Sequence, residues 1–296
     1  MTSIDSLFER AGAGGALGDA DRAALYATTD LLALGMAADE VRRRRHGARV
    51  TFVRVAVVVL EGLIIEQFDL PPAAGEVRLV GALDDLTDTA TIVGGMVDRV
   101  AGRAPVTGFS LADVEAASGG DRSRAARVLS ALRDAGLSAV AEAPLDGLQA
   151  PGAMLDAARD AGLPVLRFTV DRAPAAQRAT LLDRASILTG RGVEAFAPLP
   201  RGAADGAPST GFEDVRLVAL ARLLVDVPHI QVDWSLYGPK LAQVGLTFGA
   251  DDVDAVSPVE ETSEGRRRAP LEEIRRNILA ASGEAAERDG LFRLRG

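Results

Sequence analysis

The chain has 296 residues, 48% of them hydrophobic, enough to bury a large core either as one α/β barrel or as two smaller units. Its 33 basic residues are outnumbered by 42 acidic ones, and the formal charge of -9 gives no general attraction to nucleic acid or to an anionic membrane. Cysteine is absent, which excludes disulfides, thiolate nucleophiles and cysteine-ligated metal clusters.

From the first residue, MTSIDSLFERAGAGG lacks the basic-then-apolar pattern of a secretory signal, and the apolar run VTFVRVAVVVLEGLII is broken by Arg54 and Glu61. The expectation is therefore a cytoplasmic protein with no membrane span. The first ~45 residues read as short helices, with Asp30 capping LLALGMAADEVRRRR. The arginine run from Val41 to Gly47 continues that helix's apolar period, so it reads as a solvated face and not as a phosphate grip. Residues 1–48 form an expected helical extension, and 49–296 one barrel unit.

Eight short apolar runs then recur, at Val50–Leu60, Glu76–Ala82, Ala104–Ser110, Leu137–Ala143, Leu163–Val170, Val193–Leu199, His229–Trp234 and Asp251–Ser257. Amphipathic stretches separate most of them, among them RSRAARVLSALRDAG and FEDVRLVALARLLVD. Gly136, Gly162 and Gly190 supply helix stops. Alternating strands and helices predict a (β/α)8 TIM-type barrel with LEEIRRNILAASG as its C-terminal helix; a doubly wound open sheet is the alternative. Between the first two strands lies only EGLIIEQFDLPPAAGE, so the first βα connection is short and its helix minimal.

Chemistry in such barrels sits where strands end. The residues so placed are Asp84, Asp85, Ser110, Glu142, Asp171, Arg172, Arg201, Asp233, Trp234, Ser257, Glu260 and Glu261. Asp84, Asp233 and Glu260 are the acid/base candidates, since carboxylates in different surroundings hold different pKa values. Gly81, Asp84, Asp171, Arg172, Asp233, Trp234 and Lys240, the sole lysine, are the ligand-binding candidates. Polar residues follow strands in every soluble barrel, so the same positions also fit plain solvation. His46 ends a helix and His229 opens a strand, and neither has a partner at ligand spacing, so no metal site is expected. The glycines of GAGGALG follow no strand and make a weak phosphate cradle.

Several segments resemble a known family. LLALGMAADEVRRRRHGARVTFV, GVEAFAPLP, HIQVDWSLYGPKLAQVGLTFGADDVDAV and the tail PLEEIRRNILAASGEAAERDGLFR are similar to the aminofutalosine synthase, cyclic dehypoxanthinyl futalosine synthase and deazaflavin synthase group of radical S-adenosylmethionine enzymes. The resemblance runs from about Leu31 to Arg293. It implies the same barrel, with a CxxxCxxC loop after strand one whose thiolates hold an iron-sulfur cluster that cleaves S-adenosylmethionine. Here that loop has no counterpart. The family's GG-Leu-His-Pro stretch appears as Gly81-Ala82-Leu83-Asp84-Asp85, and its triple glycine after strand four as Glu142-Ala143-Pro144-Leu145. Pro258 to Glu264 replaces its histidine-bearing segment. Tyr237-Gly238-Pro239-Lys240-Leu241-Ala242-Gln243 resembles the family's segment after strand seven, and the resemblance implies that Lys240 came with it.

The losses cluster at the barrel mouth while scaffold segments persist. The expected function is a cluster-less, non-catalytic homologue acting as partner or regulatory subunit of a cysteine-bearing relative in menaquinone biosynthesis by the futalosine route. The alternatives are a protein that binds a nucleoside or S-adenosylmethionine without chemistry, and a cluster-independent enzyme using mouth carboxylates. No cofactor is expected.

Overall fold

The computed structural model describes residues 4–259 and 270–295. Glu260 and Glu261, named above at the mouth, lie outside the described residues. Three helices precede the first strand: α1 (Ile4–Gly12), α2 (Asp19–Ala27) and α3 (Leu31–His46). Asp30 caps α3 by accepting from the Ala33 amide at 3.0 Å. The arginine run is not uniformly solvated. Arg42 is buried, bonded to Asp39 and to the Gly47 carbonyl, while Arg45 and His46 reach the carbonyls of Val227 and Pro228. Arg43 and Arg44 face water, paired to acids one turn back, and Arg45 is also exposed along its pairing with Asp226. The sequence pattern could not separate these roles, because the partners of Arg45 and His46 lie about 180 residues away.

The strands β1 (Arg49–Val59), β2 (Glu76–Val80), β3 (Val106–Ser110), β4 (Ala139–Pro144), β5 (Arg167–Val170), β6 (Ala195–Pro198), β7 (His229–Asp233) and β8 (Asp252–Val256) pair in sequence order, all parallel. β1 joins β8 on one edge and, through Val55–Val59, β2 on the other, so the sheet closes into a (β/α)8 TIM-type barrel. Between strands lie α4 (Leu86–Val100), α5 (Leu111–Ser118) with α6 (Arg122–Asp134), α7 (Pro151–Ala161), α8 (Ala175–Leu188), α9 (Gly211–Leu224) and α10 (Trp234–Thr247); α11 (Pro270–Ala280) follows the barrel. The β1–β2 connection holds one 3-10 turn, Ile65–Gln67, in place of a helix. Among the described residues no helix is long and apolar enough to cross a membrane.

A ninth strand, β9 (Glu284–Glu287), was hidden from sequence reading because it is short and polar. It runs parallel to Arg49–Phe52, extending the β1 edge below β2, and Arg54 grips its Glu287 with two hydrogen bonds of 3.0 and 3.1 Å. The following residue, Arg288, turns into the barrel floor and lies 3.9 Å above the Phe292 ring, which stacks on His229.

Strand alternation sorts the core. Phe52, Val58, Val77, Leu79, Val106, Phe168, Val170, Phe196, Ile230, Val232 and Val253 point outward under the helices and join one apolar cluster. Burial of that layer is the main favourable term of folding. The inward faces are another matter, taken up below.

At the floor, residues far apart in sequence meet. Asp251 accepts from Arg222 on one oxygen and bonds His229 Nδ1 at 2.5 Å on the other, with His46 Nε2 3.3 Å away. The two histidines stack at 5.2 Å. They do have partners at ligand spacing, which corrects the reading from sequence. Each side chain is already engaged in hydrogen bonds, however, and His46 Nε2 also contacts the Pro228 carbonyl at 3.0 Å. Burial pushes the Asp251 carboxyl up, but Arg222 and His229 outweigh it and hold the group at about 2, below its ordinary 3.8. For His229 burial acts downward and the Asp251 bond prevails, raising it above 6.5.

A lowered carboxylate contributes stability that is present above its unfolded value and lost as the pH falls toward its folded one; a raised histidine contributes stability that is complete below 6.5 and fades as the pH climbs through its folded value. Asp251→Asn is therefore expected to cost about 3 kcal/mol near neutrality by leaving Arg222 unpaired. It should also flatten the stability loss of the native protein between pH 3.8 and about 2. Urea melts across a pH series measure both effects.

Candidate functional site

The inward strand faces carry charge. Glu76 and Arg78 on β2, Arg167 on β5, Gln231 and Asp233 on β7, and Asp252 and Asp254 on β8 all alternate with the outward apolar residues. A barrel interior is usually layered with bulky aliphatic side chains. Here the layers are ionic. Arg78 donates to both oxygens of Glu76 (2.8 and 2.9 Å) and both of Asp254 (2.8 and 2.8 Å). Arg167 also grips Asp254 and reaches Gln231 (3.2 Å) and, at the mouth, Glu142 (3.4 Å). Below, Arg288 donates to both oxygens of Asp252, which further accepts from Thr51 and Gln231. Thr107 completes Glu76 at 2.6 Å.

Such buried ions persist only when paired and fully hydrogen-bonded. Burial alone would raise Asp254, yet Arg167 and Arg78 hold it well below the usual carboxylate range. Three guanidiniums, of Arg78, Arg167 and Arg288, face the carboxylates of Glu76, Glu142, Asp233, Asp252 and Asp254. Asp233 has none of the three as a direct hydrogen-bond partner. Burial first and Asp254 second push its carboxyl up.

Above this network opens a cavity of about 270 Å³, lined among others by Gly81, Phe109, Asp113, Glu142, Arg167 and Asp233. Phe109 and Ala255 on its wall hold left-handed φ values of 60° and 55°, strained for residues with a Cβ. Ala255 accompanies a register shift between β8 and β1, which lets Asp254 face inward while Val256 returns to the outer core. Burial also raises Asp113. The Arg167 Nε is buried without a hydrogen-bond partner among the described residues.

The residues singled out from sequence are thus distributed. Gly81 and Asp233 line the cavity. Asp233 caps α10, accepting from the Ser235 and Leu236 amides at 2.9 Å each. Trp234 is buried in the apolar cluster, and Lys240 is exposed. Gly238, at φ 69°, breaks α10 so that Pro239 restarts it, with Tyr237 buried against the Pro198 carbonyl at 2.6 Å; the opening turn carries the packing, and the lysine rides on the restart. Asp84 and Arg172 are exposed and do not line the cavity, and Asp171 sits beside Arg172 at 3.9 Å. Sequence reading looked past strand ends and missed Arg78, Arg167 and Asp254. Their signal was the pair of charges two residues apart in EVRLV and in DVDAV, and the arginine that opens RFTV.

No family model matches the chain. Over 92 residues it is 39% identical to an aminodeoxyfutalosine synthase of Thermus thermophilus, covering 29% of this chain and 24% of the relative. Over 93 residues it is 36% identical to the 5-amino-6-(D-ribitylamino)uracil–L-tyrosine 4-hydroxyphenyl transferase of Methanococcus aeolicus, covering 29% and 26%. The chain is related to radical S-adenosylmethionine enzymes of the futalosine and deazaflavin types. The matches span about a quarter of the length of these curated relatives. The barrel as a whole resembles methylornithine synthase (TM-score 0.65, 15% identity, 95% of this chain and 97% of that one) and the FeFe-hydrogenase maturase HydG of Carboxydothermus hydrogenoformans (0.67, 11%, 96% and 79%). At such identities the likeness is one of fold.

The iron-sulfur cluster implied by the futalosine-type resemblance requires thiolate ligands. This chain has none. Its β1–β2 connection offers only Glu61, Glu66 and Asp69 as ionisable groups, and both histidines lie at the opposite end of the barrel. The residues present do not fit such a cluster.

Because Arg78 bridges two buried carboxylates, Arg78→Met should leave Glu76 and Asp254 uncompensated and cost about 3 to 5 kcal/mol, read as a lower denaturant midpoint with unchanged slope. The double variant Arg78→Met with Asp254→Asn should recover part of that loss.

Proposed function

We propose that this chain is a non-catalytic, cluster-less counterpart of the futalosine-type enzymes that acts as a partner subunit of a cysteine-bearing relative in menaquinone biosynthesis. The observation that carries the reading is chemical. The chain retains a full barrel and the HIQVDWSLYGPKLAQ segment, yet holds no thiolate for the reaction its relatives' resemblance implies. The exposed side chains at the mouth support a covering partner. Val57 and Val59 at the end of β1, Ile64 after it, and Leu236 in the first turn of α10 are each more than half exposed. Clustered exposed apolar side chains mark association surfaces. We infer a cytoplasmic setting for such a pair.

Isolated from its host under anaerobic conditions, the protein is expected to run in native mass spectrometry as a stoichiometric complex with a cysteine-bearing barrel. Val59→Asp combined with Leu236→Asp should dissociate that complex while leaving the monomer folded. Recovery as a lone monomer or homodimer, with no effect of the double variant, would end the partner reading.

A second reading has its own support in the mouth cavity. The unpartnered Arg167 Nε and the raised carboxyls of Asp113 and Asp233 suit a small polar ligand such as a nucleoside or S-adenosylmethionine, held without chemistry. A ligand that binds only the folded chain must raise its melting temperature. Glu142→Gln or Asp233→Asn should abolish such a shift if the mouth is where it binds.

A further inference from the structure

Outside the strand barrel, a second cavity of about 230 Å³ lies between the first turns of α8 and α9, closed on one side by Tyr26 of α2. Its lining joins two features that both lack a partner. The first is Arg178, only 5% exposed, which lines the cavity. Its Nε donates to the Ala173 carbonyl at 3.2 Å and its Nη1 reaches Asp214 at a marginal 3.5 Å, but its Nη2 is buried with no hydrogen-bond partner among the described residues. A guanidinium N–H shut away from water and left unmatched costs free energy that a bound acceptor would return.

The second is the start of α8. Pro174 stands at the N-cap and offers no side-chain cap, so the amides of Ala175 and Ala176, both lining the cavity, are open to an acceptor. Such amides, at the positive end of a 14-residue helix, favour a negative group. The nearest acid on the lining, Glu213, already accepts from the Thr210 amide at 2.7 Å and from its hydroxyl at 3.1 Å. Arg216 adds a second positive charge on the wall, held in place by the carbonyls of Tyr26 (2.6 Å) and Thr28 (3.1 Å).

The rest of the lining, including Ala179, Leu217 and Leu220, is apolar. The free hydrogen-bonding capacity therefore amounts to the two N–H of Arg178 Nη2 and two backbone amides, enough for the two oxygens of one carboxylate, and the remaining apolar space suits a hydrocarbon body. We propose that the α8–α9 cavity binds a small organic monocarboxylate, its anionic head on Arg178 and the Ala175 and Ala176 amides and its apolar body against Leu217 and Leu220. This site shares no lining residue with the mouth cavity.

Amide-resolved NMR titration of the full chain tests it, with benzoate as probe, benzamide as its neutral isostere, and inorganic phosphate. Benzoate should shift the Ala175 and Ala176 amides saturably, and benzamide should not. Arg178→Gln should weaken benzoate by about tenfold or more, the worth of a charge-assisted hydrogen bond. Should that variant fail to fold, Ala179→Leu, which fills the cavity and leaves the guanidinium in place, decides the matter by abolishing binding. Equal binding of benzamide, binding of phosphate but not benzoate, or full benzoate affinity in Ala179→Leu would each overturn the proposal.

Discussion

The pairing of Asp254 with Arg78 and Arg167 is the interaction on which the rest of the barrel depends. Asp254 is 1% exposed, and two guanidiniums converge on it. Remove either and a charge is stranded where water cannot reach, at a cost far above that of any surface ion pair. The arrangement ties β8 to β2 and β5 across the lumen, and through Gln231 to β7. In an apolar lumen the strands would be held by volume alone. Here their register is fixed by bidentate geometry, because a one-residue slip of β2 or β8 would swing a charge into the outer apolar layer.

The same choice shapes the mouth. Ionic layers fill the lumen from Arg288 at the floor up to Arg167, so the cavity above is shallow and bounded by groups with a net excess of carboxylates. Asp113 and Asp233, acids on this cavity to which no guanidinium donates among the described hydrogen bonds, both have carboxyls raised first by burial. The left-handed Phe109 and Ala255 show that the backbone is strained around this cavity, as it often is where a site must hold a shape. The kinship to futalosine-type radical enzymes gives the scaffold. The chain itself offers no thiolate for an iron-sulfur cluster.

Charge gathers again at the floor, where the tail completes what the strands begin. β9 occupies the β1 edge below β2, Arg288 fills the lumen's lower layer, and Phe292 closes the stack over His229 and His46. These contacts join α3, β7, β8 and the tail into one unit with Asp251 at its centre. Long-range ion pairs of this kind draw on residues that are neighbours only after the barrel has closed.

Much of the fold was legible in the sequence. Eight β-rich runs separated by glycine-stopped amphipathic stretches allow few arrangements, and a parallel barrel satisfies the period and spacing together. Asp30's cap and the stunted first connection were legible for the same reason, since capping and crossover length are local matters. The absence of thiolate ligands, a property of composition, was legible at once. The lumen was not legible, although its charges alternate openly through EVRLV and DVDAV, because alternation does not say which face turns inward or which charge meets which. Nor was the meeting of His46, His229 and Asp251, or the pairing of Arg178 with a cavity made by three helices. Those depend on distances between residues tens to hundreds of positions apart, and such distances are set only when the sheet closes and the helices pack.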